Sequence, residues 1–204
     1  DDMAGMDHSS MAGMDHGSMN MRDFSVAPQV DKNPGVQTIS PMPSDRTGEP
    51  GQGLENVEHK VLTYKDLVAL ERNPDVRAPD RSLDIHLTGN MERFMWSFDG
   101  ETYSEVTKPI PFRLNERVRV TLVNDSMMAH PMHVHGVRMS LLSRNGAAPR
   151  VEEQGLRDTF NVDSMETVQV AVQVSGTPSA SPLMFHCHIL EHEDAGMMGQ
   201  FITA

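Results

Sequence analysis

From residue 83 onward the chain alternates apolar and polar positions in short runs separated by turn residues. Leu83 to Leu87, Phe94 to Phe98, Ile110 to Leu114 and Val118 to Val123 read as strands, the last alternating cleanly with Arg and Thr. Further strands are predicted at Val137 to Leu142, Thr159 to Val162, Thr167 to Val174, Leu183 to His188 and Gly199 to Thr203. Asp99-Gly100 and Asn145-Gly146 are turn signals between such runs. Many short strands with this punctuation predict an all-β antiparallel sandwich, with Trp96 and Phe98 on its core face. Tyr64 to Arg72 reads instead as a short helix, stopped by Asn73-Pro74.

The first quarter has no such pattern. Met3-Ala4-Gly5-Met6-Asp7-His8 recurs as Met11-Ala12-Gly13-Met14-Asp15-His16, followed by Met19 and Met21. Methionines interleaved with Gly and Ser cannot build a packed face, and the composition predicts disorder. Thioethers suit Cu(I), so two readings stand: a copper-collecting tether, or a flexible linker of biased composition. Residues 22 to 53 continue as a Pro-, Gly-, Asp- and Ser-rich linker. The division expected is 1–53 Met-rich segment and linker, 54–82 short helix and connector, and 83–204 β domain.

Net charge narrows the partners. At −12 over 204 residues, with the acids spread out, the surface repels nucleic acid and favours cations. No run of apolar residues is long enough for a transmembrane helix. One cysteine allows no intrachain disulfide and says nothing about redox compartment.

That cysteine stands in the chemically densest stretch, His186-Cys187-His188-Ile189-Leu190-Glu191-His192-Glu193-Asp194-Ala195-Gly196-Met197. A soft thiolate, two imidazoles and a weak axial thioether make a blue-copper electron-transfer site. A second cluster, His130-Pro131-Met132-His133-Val134-His135, lies upstream, at the end of the Val118 to Val123 run. In extended chain, alternate side chains point to opposite faces. His133 and His135 then share a face, as do His186 and His188, while Cys187 points the other way. One strand could hold a metal on each side, with a few backbone bonds between the centres. Zinc is the competing metal, but structural zinc sites favour four closed ligands and a different spacing.

The paired motifs His-Pro-x-His-x-His and His-Cys-His-x-x-x-His-x-x-x-x-Met resemble those of the multicopper oxidases. The wording is most similar to bacterial cuprous oxidases and CopA-type copper-resistance oxidases, over roughly residues 54 to 204. The resemblance implies a cupredoxin-like Greek-key β-sandwich behind the disordered Met-rich segment. It implies His130, Cys187 and His192 as type 1 copper ligands with Met197 axial. His133 would bind the type 2 copper, and His135, His186 and His188 the type 3 pair. It also implies the His192 edge as the contact for the electron donor, and the periplasm as the location.

The family's trinuclear centre takes eight histidines from two cupredoxin domains, and this chain offers four of them. His8, His16, His59 and His86 are isolated, so the missing pairs are expected from N-terminal cupredoxin domains of a longer oxidase. His59 and His86 are expected at the surface or in the core. In cuprous oxidases an acid and a methionine before the first histidine bind substrate Cu(I). Here Met128 matches, Ser126 stands at the acid position, and Asp125 is the nearest carboxylate. Glu193 matches an acid on a proton route to the trinuclear centre. Asp158 is expected to be a structural turn or interface residue. The function implied is oxidation of Cu(I) or phenolic donors with reduction of dioxygen to water, serving copper resistance. The alternative is a cupredoxin that binds copper or carries electrons without oxygen chemistry.

Overall fold

The computed structural model describes residues 22–40, 48–51, 53–63, 66–68, 70–71, 75–149, 155–173 and 181–203. The Met-rich repeat lies outside them. Five strands form the first sheet: β1 (Arg81–Asn90), β2 (Met95–Phe98), β4 (Arg117–Asn124), β6 (Arg138–Arg144) and β8 (Thr167–Gln173), in the order β2-β1-β4-β8-β6. The second sheet holds β3 (Ile110–Phe112), β5 (His130–Val134), β7 (Thr159–Val162), β9 (Leu183–Cys187) and β10 (Met198–Thr203), in the order β3-β10-β9-β5-β7. The antiparallel expectation holds for most pairs, but β1 with β4 and β10 with β3 run parallel. Among the described residues no helix is long and apolar enough to cross a membrane.

Alternation explains the core. Val118, Val120 and Leu122 of β4 register against Val172, Val170 and Val168 of β8, and all six are buried. Each such side chain contributes about 1.5–3 kcal/mol when fully buried. Across the gap lie Met132, Phe160, Phe185 and Phe201, all buried, and Phe185 stacks on Phe98 of the first sheet at 4.8 Å. The Asn145-Gly146 signal is a tight turn, with positive φ at both residues and Arg144 bridged to Ala147.

Two sequence expectations are corrected, and a third falls partly on residues outside the described ones. The first histidine cluster does not prolong the Val118–Val123 strand: residues 125–129 leave the first sheet, and β5 begins anew in the second. The helix expected over 64–72 lies partly outside the described residues, and no α-helix is found in the rest of it. Residues 22–40 are not a free linker. Ala27, Val30, Val36 and Ile39 are buried in a small core with Phe24 packed against it. Backbone bonds from Asp31 N to Asp99 O (2.8 Å) and from Gln37 N to Gly89 O (2.9 Å) fasten this segment to β1 and the turn after β2. Gly100 permits the approach, since a Cβ there would stand 2.9 Å from the Asp31 carbonyl oxygen.

Candidate metal centre

Strand register builds the site. In β5 and β9, Met132 faces Cys187 and His133 faces His186. Side chains alternate along a strand, so the Met132–Cys187 pair points into the sandwich and the His133–His186 pair out of it. His130, two residues before Met132, therefore shares the inner face with Cys187. His192 reaches the same point from α1 (Leu190–Asp194), a helix too short to show periodicity in sequence. Met197 follows, tied by its backbone to both neighbours: its N–H donates to His192 O at 2.9 Å and its carbonyl accepts from Cys187 N at 3.1 Å. Gly196 makes that turn with φ +120°, where a Cβ would lie 2.6 Å from the Trp96 carbonyl oxygen.

The inner cluster has the donor set and spacing of a copper site. Cys187 Sγ lies 3.6 Å from His130 Nδ1 and 3.5 Å from His192 Nδ1, and the two nitrogens are 3.1 Å apart. Soft sulfur and two nitrogens thus converge on one point, with Met197 fully buried at its side. His130 Nε2 lies 2.6 Å from Ser126 Oγ, which lies 2.8 Å from Asn124 Oδ1. Asn124 in turn donates to the carbonyls of Met128, Val162 and Asp163. With Nε2 so engaged, Nδ1 is the free ligand atom. The Trp96 indole stacks on His192 at 4.1 Å and meets His130 at 5.2 Å. Its N–H has no hydrogen-bond partner among the described residues.

Burial keeps this cluster uncharged until a cation arrives. It holds His130 down to about 3, helped by the neighbouring His192, and it lowers His192 as well. It pushes the Cys187 thiol up to about 11. A soft cation that displaces the thiol proton would supply the missing charge.

On the outer face the second cluster gathers. His133, His135 and His186 bring one ligand atom each within 4.8 Å of one another. His188 completes the group, 5.5 Å from His133 and 5.7 Å from His186 between ring centroids. His133 Nδ1 lies 3.0 Å from the Asp158 carbonyl and 3.0 Å from Thr159 Oγ1, leaving Nε2 for a metal. His186 Nδ1 sits 3.0 Å from both the Cys187 carbonyl and Glu193 Oε2, leaving Nε2 toward His135 Nε2 at 3.1 Å. His135 and His188 are exposed, so this face is open to further ligands.

The remaining candidates divide. Glu193 is in place beside His186. Met128 is half-buried and packs against the core. Asp125 does not stand where a substrate ion could use it. Its carboxylate is fully buried, 2.5 Å from His86 Nδ1 and accepting from Ser40 N at 2.6 Å. His86 is thus a core histidine pinned to that acid. Asp158 orients His133 through its main chain, a role its side chain does not announce. Sequence reasoning also missed Ser126 as the partner of His130, and it placed Trp96 only in the core.

A cupredoxin-like sandwich with a Cys-His-His-Met cluster inside and a four-histidine cluster outside defines a copper-protein domain. Comparison with known proteins sharpens this. Residues 77–204 match the multicopper oxidase family, and the chain belongs to it. It is 38% identical over 165 residues to a copper resistance protein A homolog of Pseudomonas syringae pv. tomato, covering 81% of this chain and 26% of that protein. Copper resistance protein A of Escherichia coli is 37% identical over 167 residues, with the same 81% and 26% coverage. Among solved structures, McoA multicopper oxidase of Aquifex aeolicus is 32% identical with a TM-score of 0.55, over 65% of this chain and 31% of that one. A multicopper oxidase from Campylobacter jejuni, described as a metallo-oxidase, is 26% identical with a TM-score of 0.56, over 73% and 34%. The chain spans about a quarter (26%) of the length of the copper resistance relatives.

Proposed function

We propose that this chain is the electron-accepting part of a copper-resistance oxidase that oxidises Cu(I) or phenolic donors and delivers the electrons to dioxygen. The observation that carries the reading is the β5–β9 register, which sets Cys187 and His186 back to back. Copper bound in the inner cluster would supply one-electron redox chemistry, and copper bound in the outer cluster would supply reduction of dioxygen to water. His130, Cys187, His192 and Met197 would hold the first. His133, His135, His186 and His188 would hold their share of the second, and four histidines of N-terminal cupredoxin domains would complete it. The Cys187 main chain joins sulfur to both flanking imidazoles, a short covalent route from one face of β9 to the other. Glu193, at 3.0 Å from His186 Nδ1, is placed to hold a proton for oxygen chemistry.

Copper reconstitution tests the reading. Cu(II) added to the chain should give the intense visible thiolate-to-copper absorption, and Cys187→Ser should abolish it. Oxygen uptake with Cu(I) should appear only when the partner histidines are present. A chain that binds copper through the histidines with no thiolate band would overturn the proposal. Reversible redox cycling, with no oxygen uptake in the completed protein, would leave the electron-carrier reading instead.

A further inference from the structure

Every polar atom of Asp125 has a partner. Its N–H donates to Leu87 O at 3.0 Å and its Oδ2 lies 2.5 Å from His86 Nδ1, both on β1. The other two atoms are held by a segment that belongs to neither sheet. Ser40 N donates to Oδ1 at 2.6 Å, and the Thr38 hydroxyl donates to the main-chain carbonyl. Thr38 and Ser40 close the segment 22–40, which lies upstream of the family match at 77–204. Val36 and Ile39, buried in the small core, hold the end of this strap in place.

The residue after Asp125 is Ser126, the partner of His130. The Ser126 hydroxyl hydrogen goes to Asn124 Oδ1 at 2.8 Å or to Met128 O at 3.2 Å. Toward His130 Nε2 the oxygen therefore accepts, so the ring proton sits on Nε2 and Nδ1 is bare toward Cys187. A hydroxyl can enforce that tautomer only if its main chain cannot swing. The peptide joining Asp125 to Ser126 is gripped on both sides: Thr38 holds its carbonyl, and Asn124 Oδ1 accepts from its N–H at 2.9 Å. The strap also reaches the turn after β7, where Ser40 Oγ donates to Met165 O at 3.5 Å. In the same turn Ser164 Oγ donates to Ser126 O at 3.0 Å.

We propose that Thr38 and Ser40 are positioning residues for His130: the strap upstream of the matched domain sets the copper-binding tautomer through Asp125 and Ser126. This rests on the type 1 copper reading above. The strap touches neither substrate nor metal. It fixes which ring nitrogen is bare before copper arrives, and it gives the buried Asp125 carboxylate a role other than binding an ion.

The test uses the full chain, copper-free and copper-loaded. Thr38→Val removes one hydroxyl at nearly constant size. Ring-nitrogen chemical shifts of the isotopically labelled, copper-free chain read the His130 tautomer, and competition with a chelator reads copper affinity. Wild type should carry the His130 proton on Nε2. In Thr38→Val a fraction should carry it on Nδ1, and copper affinity should fall about two- to tenfold, the effect of one hydrogen bond. The decisive arm is Ser126→Ala with and without Thr38→Val: if Thr38 acts through Ser126, the second substitution adds no further loss of affinity. Val30→Ala, in the strap's small core, should lower stability yet keep the wild-type tautomer and affinity. Additive losses, a wild-type tautomer in Thr38→Val, or the same affinity loss in Val30→Ala would overturn the positioning role, while a thiolate-to-copper band in wild type keeps the copper reading. Absence of that band in wild type would overturn the copper reading, and the tautomer would still decide whether Thr38 positions His130.

Discussion

Ser126 Oγ lies 2.6 Å from His130 Nε2, and this contact decides which nitrogen of His130 faces Cys187. The hydroxyl is itself anchored by Asn124, whose amide ties the 124–130 segment to Val162 at the end of β7 and to Asp163 just after it. The position where the family resemblance leads one to expect an acid thus holds the partner that orients His130. Ser126→Ala leaves a buried ring N–H without an acceptor. We expect about 1–3 kcal/mol lower stability and copper affinity reduced by about 10- to 100-fold. Denaturant unfolding of the copper-free chain and competitive copper titration measure the two. Unchanged copper affinity would remove Ser126 from the site.

Met197 provides a cleaner electronic test. It is fully buried and fixed through its main chain to both His192 and Cys187. Met197→Leu nearly conserves volume and should cost less than about 1.5 kcal/mol. A thioether donates density to copper, and leucine does not. The reduction potential should therefore rise while the thiolate absorption persists, as a redox titration of the copper-loaded chain would show. A potential equal to wild type would mean that the sulfur does not reach the metal.

Much of this was legible in the sequence because metal chemistry is specific to residue type. Only a few side chains can bind copper, so the spacing of His186, Cys187, His188, His192 and Met197 was informative without any contact map. The strands showed through period-two alternation, which a half-buried sheet imposes. What stayed hidden depends on tertiary placement. Nothing local separates β4 from β5, because Asn124-Asp125-Ser126 acts as a sheet-changing hinge only through its hydrogen bonds. The five residues of α1 are too few for a helical period. Ala27, Val30, Val36 and Ile39 are spaced irregularly among Pro and Gly, so their burial follows from the surface they meet. Trp96 was legible as apolar, but its stacking on His192 is set by the α1 turn, whose carbonyl at Ala195 accepts from Trp96 N.

Gly196 should tolerate no side chain. Its φ of +120° and the 2.6 Å approach to the Trp96 carbonyl would strain any Cβ. Gly196→Ala is expected to destabilise the chain by about 1–3 kcal/mol. It should also weaken copper binding, because the residue joins α1 to Met197. Thermal melting with and without copper separates the effects, and wild-type values in both would contradict the geometry.

Stability should carry a proton linkage from Asp99. Burial is the main cause that pushes its carboxyl up to about 6 from an ordinary 3.8. The folded chain binds this proton more tightly than the unfolded chain. The stabilisation is therefore complete below 3.8 and is lost as pH rises through about 6. His130, held down to about 3, slopes the opposite way, so the two must be separated by difference. Denaturant midpoints of the copper-free chain, wild type minus Asp99→Asn, should fall between pH 4 and 6.5, roughly the window these values define. A flat difference profile would mean that Asp99 is solvated.

Glu193 allows proton delivery to be separated from electron transfer. Its carboxylate lies 3.0 Å from His186 Nδ1, and its side chain remains 25% exposed, so it touches both the outer cluster and water. Each dioxygen reduced to water takes up protons as well as electrons, and a carboxyl at this junction can exchange them with solvent. Glu193→Gln keeps the shape and a hydrogen-bonding side chain but cannot carry a proton. In the complete oxidase, steady-state oxygen uptake should fall by about 100-fold or more, the usual contribution of a positioned acid–base group. Reduction of the inner cluster by an external donor should keep its wild-type rate, because no proton passes through His186 in that step. If both rates fall together, Glu193 acts by holding His186 in place. If oxygen uptake is unchanged, the protons arrive by another route.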